Sequence, residues 1–342
     1  MDTLTHLTVG ACLGEAALSR KMGKHALVWG AIAQNLPDVD TVSSLWLTTS
    51  EGLVAHRGLT HSVLFLVVAA PAMAWYLRRW YGVAFWPLCF FFGGQIALHD
   101  FLDLCNSYGT GLLEPFSHAR FSLNLLYVVD PLFTVGPLIA ALVLMFKSKD
   151  APGRGPWWRG GLSATVVYFF VVVAGKQVAL HAVDQSLRTG TGITPGYFLT
   201  PTPFNGFLWY AVAEEGNGYR IGYRSVFDRG DMTFGYRPRR AELLARVEQT
   251  DEVRNLKQFA RGYYTVERQR DGLEFNVLRF GQIRGWENPD APFTFHFYLS
   301  PGYSNELVMQ RGRFSGWDRT AVIRLLDRIA GHPSSHDSPP KN

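Results

Sequence analysis

The feature that most limits what this chain can fold into is the uneven distribution of its apolar residues. Residues 60 to 183 are strongly apolar, whereas residues 184 to 342 are polar, basic and punctuated by Gly and Pro. A helix that crosses a bilayer needs roughly 20 mostly apolar residues. Four stretches come close to that length: about 60 to 78, 83 to 104, 125 to 146 and 161 to 183. Two shorter apolar segments precede them, Leu7 to Leu18 and Ala26 to Leu36, joined by a basic turn through Arg20, Lys21 and Lys24. Each is too short to cross alone, so the pair reads as a helical hairpin partly sunk in the bilayer. The expected class is a mainly α membrane helical bundle of about four full spans plus this short N-terminal hairpin, followed by a small α+β domain with an antiparallel sheet.

The connections between these segments differ in charge. Arg20, Lys21, Lys24, Arg78, Arg79, Lys147, Lys149, Arg154 and Arg159 fall in one set of connections; the other set, residues 37 to 59 and 104 to 124, holds only Arg57 and Arg120. The positive-inside rule places the first set in the cytoplasm and the second outside. By alternation the C-terminal domain also lies outside, in the periplasm of a Gram-negative cell. The start of the chain, Met1 to His6, lacks the basic region and apolar core of a signal peptide, so the first helix is expected to remain in the mature protein.

Composition removes two other classes. The net charge of +5 comes from basic residues interspersed with acids, and no helix-turn-helix, zinc-finger or RNP pattern accompanies them, which argues against nucleic acid as a partner. The 3 cysteines, Cys12, Cys89 and Cys105, sit in apolar surroundings with no CxxC or CxxH spacing, so neither a disulfide framework nor thiolate metal ligation is expected.

Side chains with metal-ligand chemistry recur at the outer ends of the apolar segments. His6 opens the first; Asp38 and Asp40 follow the second; His56 and His61 flank Arg57-Gly58-Leu59-Thr60 at the entry to the third. His99, Asp100 and Asp103 end the fourth, and Asp130 begins the fifth. His99 and Asp103, four apart, share a helical face, while Asp100 points elsewhere. His56 and His61 are too far apart for one face, so a turn through Gly58 sets their directions. Ionisable groups beside apolar spans are costly and usually face a cavity or one another. The candidate metal ligands are therefore His6, Asp40, His56, His61, His99 and Asp103. Asp38, Asp100 and Asp130 are the candidate catalytic carboxylates, available to accept hydrogen bonds from ligating imidazoles. Imidazole with carboxylate suits Zn, Mn or Fe, with zinc the first choice.

Each position also has a plainer explanation. His6 fits a helix-end side chain as well as a ligand. Asp38 fits a cap after Pro37, and Asp130 an N-cap before Pro131. His118 and His181 belong to no paired spacing, and His296 lies in an alternating strand-like run. His25, His332 and His336 lie in polar segments. Lys176, deep in the last apolar stretch, either pairs with an acid, snorkels or faces the bundle interior.

The strings Asp2-Thr3-Leu4-Thr5-His6, Leu36-Pro37-Asp38-Val39-Asp40, His56-Arg57-Gly58-Leu59-Thr60-His61-Ser62, His99-Asp100-Phe101-Leu102-Asp103 and Tyr108-Gly109-Thr110 resemble the YdjM-like inner-membrane proteins over roughly residues 1 to 230. Pro201-Thr202-Pro203-Phe204-Asn205 also fits the longer members. The resemblance implies a metal-dependent hydrolase of the bacterial inner membrane, without fixing a substrate. The order His6, Asp40, His61, His99 with Asp103 is more distantly similar to zinc-dependent phospholipase C. This chain lacks that enzyme's N-terminal Trp ligand and its later His and Glu, so the resemblance implies one or two ions and not three.

In the C-terminal half, Phe207 to Glu214, Tyr219 to Phe227, Tyr263 to Arg268, Leu273 to Phe280 and Phe293 to Leu299 have strand character, with helical patterns at Arg239 to Val247 and Asp318 to Ile329. The expected division is an integral-membrane helical domain over 1–187, a Gly-, Thr- and Pro-containing linker over 188–205, an α+β domain over 206–332 and a disordered tail over 333–342. The expected function is attack of metal-activated water on a phosphoester or acyl bond of a lipid or envelope-associated small molecule. No GxSxG elbow offers a competing nucleophile. The alternative is an ion-coupled transporter or proton-relay protein using the same His and Asp cluster. It is opposed by the clustering of polar groups at one face instead of the midplane.

Overall fold

The computed structural model of the protein describes residues 1–191, 196–270, 272–299 and 317–332. The expected tail over 333–342, His336 and residues 192–195 of the expected linker lie outside them. The described residues divide between two units, one comprising Met1–Trp46, Ala55–Val172 and Pro203–Asn205, the other Leu47–Val54, Val173–Thr202 and Gly206–Asn342.

In the first unit, α1 (Thr3–Met22) starts where the Asp2 carboxylate accepts from Thr5 N at 3.1 Å and stops at Gly23, whose φ of 57° only glycine adopts cheaply. α2 (His25–Asn35) folds back on it. The two helices meet backbone to backbone: a Cβ on Gly30 would lie 2.1 Å from the Gly10 carbonyl oxygen, and one on Gly14 2.0 Å from that of Ala26. A 3-10 helix, Pro37–Leu45, follows with proline in its first turn and Asp38 and Asp40 beside it. After a second, short 3-10 turn, Leu59–His61, the hydroxyl of Ser62 accepts from Phe65 N at 3.1 Å and starts α4 (Val63–Tyr81). α5 (Phe85–Leu104) packs against α4, and Leu18, Ala33, Leu77, Leu88, Phe92 and Ile96 form the apolar core that joins these helices. Asp130 caps α6 (Pro131–Phe146), with Pro131 at the first helical position. α7 (Arg154–Thr191) is the longest helix among the described residues, 38 residues, and runs from the first unit into the second.

Two helices among the described residues are long and apolar enough to cross a membrane, Val63–Tyr81 and Arg154–Arg188, where four were expected. α6 has 16 residues, fewer than the roughly 20 a span requires. α5 has the length, but Gln95, His99, Asp100 and Asp103 occupy its last turns and are buried within the protein. Its apolar content serves a protein core as much as a lipid contact. Only 22% and 17% of the apolar windows in the two candidate spans are buried. They expose Val67, Val68, Trp75, Val166, Val167 and Phe170, a surface suited to hydrocarbon.

In the second unit, β1 (Tyr197–Pro201), β2 (Leu208–Glu215), β3 (Gly218–Ser225) and β4 (Gly235–Pro238) form a four-stranded antiparallel sheet in sequence order. β5 (Tyr264–Gln269), β6 (Gly272–Gln282) and β7 (Phe293–Leu299) form a second, three-stranded antiparallel sheet. Leu208, Tyr210 and Ile221 from the first sheet share a core with Leu278 and Phe293 from the second and with Leu325 of α9 (Arg319–Ile329). α3 (Thr49–Ala55) contributes most of its length here, with Ser50 Oγ accepting at 3.4 Å from Asn255 of α8 (Asp251–Ala260). The antiparallel α+β character matches expectation. β1 and β4 are additions, because a strand containing Pro201 and one of four residues give no alternation to read.

Candidate metal centre

Four elements of the first unit carry the site. The 3-10 helix after α2 brings Asp38 and Asp40; the Ala55-to-Ser62 turn brings His56 and His61; the last turns of α5 bring His99 and Asp103; α1 brings His6. One ligand atom from each of Asp38, His61, His99 and Asp103 lies within 4.8 Å of the others. His61 Nε2 is 3.1 Å from His99 Nε2, 3.5 Å from Asp38 Oδ1 and 3.4 Å from Asp103 Oδ2. His99 Nε2 is 3.6 Å from both Asp38 Oδ1 and Asp103 Oδ2. His61, His99 and Asp103 are fully buried, and Asp38 is 18% exposed.

The hydrogen-bond partners fix what these atoms present to one another. His99 Nδ1 lies 2.6 Å from the backbone carbonyl of Gln34, which only accepts, so the ring proton sits on Nδ1 and the Nε2 lone pair faces the cluster. His61 Nδ1 lies 3.5 Å from Asp40 Oδ2 and 3.1 Å from Thr60 Oγ1, and a proton held there likewise turns its Nε2 lone pair inward. Two imidazole lone pairs and two carboxylate oxygens then converge on one point. Such a convergence of acceptors requires a cation, either a proton on His61 or a metal ion. Although burial opposes it, hydrogen bonding to Asp103 and Asp38 raises His61 to about 9, so without a metal the proton occupies it at neutral pH. Burial likewise opposes ionisation of Asp38 and Asp40, yet the hydrogen bond with His61 for Asp38, and with His56 for Asp40, holds each below the usual carboxylate range.

A further set of groups shapes the site without joining the four atoms. Asp103 Oδ2 faces Arg57 Nε at 3.0 Å, and its Oδ1 pairs with the Met1 α-amino group and lies 3.3 Å from His6 Nε2. The His6 ring stacks on His99 with centroids 3.9 Å apart. Arg57, buried and with a φ of 62°, donates its backbone N–H to Asp40 Oδ2 at 2.7 Å and its Nη1 to Asn106 Oδ1 at 2.6 Å. Arg120 Nη1 donates to the carbonyls of His56 at 2.8 Å and Arg57 at 2.7 Å, which anchors the turn that carries both histidines. Asp38, Asp40 and His56 form a second group able to hold an ion, at the more exposed edge.

The remaining candidates have other positions. Asp130 accepts from Leu132 N, Phe133 N and the Tyr168 hydroxyl and belongs to neither group. Asp100 is also in neither group; burial pushes its carboxyl up to about 7. Arg57, Asn106, Arg120 and the Gln34 carbonyl were not anticipated as site residues. Only Arg57 left a sequence trace, as an arginine held between two histidines beside a glycine.

A helical unit with two helices long and apolar enough to cross a membrane and a buried His and Asp cluster is thus the class that fold and site define. The chain belongs to the YdjM inner membrane protein family, whose sequence model matches residues 1–182 and so includes every residue of the cluster. It is 30% identical over 193 residues to the uncharacterized protein YfhP of Bacillus subtilis strain 168, covering 51% of this chain and 52% of that one. It is 30% identical over 120 residues to the inner membrane protein YbcI of Escherichia coli strain K12, covering 34% of this chain and 69% of that one. The chain thus spans about half the length of YfhP. No solved structure matches it.

Proposed function

We propose that the protein is a membrane-bound metal-dependent hydrolase in which Asp38, His61, His99 and Asp103 hold a divalent cation. The observation that carries this reading is the spacing of the four donor atoms. A tetrahedral ion with ligands at about 2.0–2.1 Å sets those ligands about 3.4 Å from one another, and the five separations given above run from 3.1 to 3.6 Å. Two imidazoles with two carboxylates suit zinc first, then Mn or Fe. Since these four side chains would fill a tetrahedral ion, a water or a substrate oxygen would have to enter as a fifth ligand; bound so, a dication would acidify the water towards neutrality or polarise a phosphoryl or acyl oxygen.

The chain's own residues divide the remaining work. Gln34 and Asp40 hold the two imidazoles with their Nε2 atoms inward, and Arg57 holds Asp103. Asp100, buried and next to His99 in the last turns of α5, is the carboxyl offered as proton donor to a leaving group. The scarcity of Lys and Arg in the connections that carry Asp38, His56 and His61 favours a periplasmic site, where lipid headgroups and envelope-associated small molecules would be the substrates within reach.

Metal content of the purified full chain, compared with a His99→Ala/Asp103→Ala variant, tests the ligand set. Equal content would remove it. Metal-dependent turnover on a panel of phosphodiesters and carboxylic esters, lost in the same variant, tests the reaction; flux into sealed vesicles without turnover would favour a carrier instead.

A further inference from the structure

Asp38 belongs to both groups of candidate ligands, one with His61, His99 and Asp103, the other with Asp40 and His56, and in each group the ligand atoms lie within 4.8 Å of one another. We infer that the centre holds two divalent cations side by side, with the Asp38 carboxylate shared between them. The inference rests on the single-ion reading above and adds to it a second ion, bound by Asp38, Asp40 and His56.

A carboxylate has two oxygens with separate lone pairs, so one side chain can serve two ions. The Oδ1 of Asp38 faces His61 and His99 at 3.5 and 3.6 Å, and an Asp38 oxygen also lies within 4.8 Å of a ligand atom of Asp40 and of His56. His56 Nδ1 lies 3.1 Å from Asp40 Oδ1, a separation that two ligands of one small ion also adopt. The two groups are further coupled through His61, whose Nε2 belongs to the first while its Nδ1 lies 3.5 Å from Asp40 Oδ2. Paired catalytic metals sit about 3.5–4 Å apart, a spacing that a shared carboxylate spans.

The groups differ in a way that orders the two ions. His61, His99 and Asp103 are fully buried, whereas His56 and Asp40 are 30% and 11% exposed. One imidazole with two carboxylates leaves several coordination positions to water, a donor set that suits Mn(II) or Zn(II) with weaker binding than in the buried group. The outer ion is therefore the first to leave under a chelator, and the inner ion stays.

The experiment loads the full chain in detergent with Mn(II), counts bound manganese and records its electron paramagnetic resonance spectrum. The expected result is two ions per chain with a spin-coupled signal, reduced in His56→Ala to one ion with the spectrum of isolated Mn(II). One uncoupled ion in both proteins would overturn the second site and leave the single-ion reading standing. Two ions that persist in His56→Ala would overturn the assignment of His56. No ion in the unaltered protein would overturn both readings. His56 is partly exposed, and the spectrum of the unaltered protein decides the number of ions even where the variant folds poorly.

Discussion

Arg57 Nε lies 3.0 Å from Asp103 Oδ2, the oxygen that also faces His61 Nε2 at 3.4 Å and His99 Nε2 at 3.6 Å. A fixed guanidinium thus stands behind a carboxylate whose front is turned to two imidazoles. The arrangement keeps a fully buried Asp103 ionised while leaving the oxygen able to bind a cation. Arg57 reaches this position from a left-handed backbone, held by its own N–H on Asp40 and by Arg120 on its carbonyl.

Arg57→Lys keeps the charge but loses the fork that addresses Asp103 and Asn106 together. Removal of such supporting contacts lowers metal affinity about 10- to 100-fold, and that loss is expected in competition with a chelating indicator. Arg57→Ala strands the buried carboxylate and costs about 3–5 kcal/mol, seen as a lower denaturation midpoint. Unchanged affinity in Arg57→Lys would show that Asp103 is positioned without it.

The metal-free and metal-loaded proteins should respond to pH with opposite slopes. His61 is raised to about 9 in the folded chain, against about 6.5 when unfolded. Its proton therefore stabilises the metal-free fold fully below about pH 6.5, and that contribution is lost as pH rises through about 9. Metal must displace the same proton, so apparent affinity increases over the same window and binding near pH 7 releases protons to the buffer. Thermal melts from pH 6 to 9 and titration calorimetry in two buffers of different ionisation enthalpy would measure both. Metal affinity independent of pH across this range would exclude His61 as a ligand.

That His61, His99 and Asp103 come together was legible because each sits at the end of an apolar segment, where an ionisable side chain needs a partner; His56 groups instead with Asp38 and Asp40. Helical periodicity then placed His99 and Asp103 on one face. What periodicity does not carry is the route of irregular backbone. Asp38 and Asp40 follow Pro37 in a 3-10 helix, and only its actual path decides that Asp38 supplies an atom to both groups. The Gln34 carbonyl that orients His99 is a main-chain atom, which no side-chain pattern announces. Hydropathy likewise counted α5 as a span, since its apolar residues and its buried Gln95, His99 and Asp103 average together along the chain. α8 was missed for a different reason: its apolar face is only Val253, Leu256, Phe259 and Ala260, set among charged residues.

Gly30 tests whether the close approach of α1 and α2 supports the centre. A Cβ there would stand 2.1 Å from the Gly10 carbonyl oxygen, a main-chain atom that cannot turn aside. Gly30→Ala is expected to separate the helices and cost about 1–3 kcal/mol. Because α2 also carries the Gln34 carbonyl that holds His99, metal affinity should fall with stability. Gly52, where an added Cβ meets nothing within 4 Å, provides the control. Equal denaturation midpoints for Gly30→Ala and Gly52→Ala would show that the helix pair tolerates a wider spacing.

Asp130 and Asp38 separate a supporting carboxylate from one in the centre. Asp130 caps α6 by accepting from Leu132 N and Phe133 N at Oδ1 and accepts the Tyr168 hydroxyl at Oδ2; an asparagine oxygen replaces Oδ1 in the cap, and its amide nitrogen can donate to the Tyr168 hydroxyl oxygen in place of Oδ2. Asp130→Asn should therefore keep both metal and fold. Asp130→Ala should lose about 1 kcal/mol for the missing cap, with metal content unchanged. Asp38→Asn removes a negative charge directed at His61 and His99 and should lose metal, and it should also lower metal-free stability at neutral pH, because His61 loses one of the two carboxylates that hold its proton. Metal counts and denaturation midpoints on the three variants decide the matter: a loss of bound metal in Asp130→Asn would move Asp130 from the helix cap into the centre.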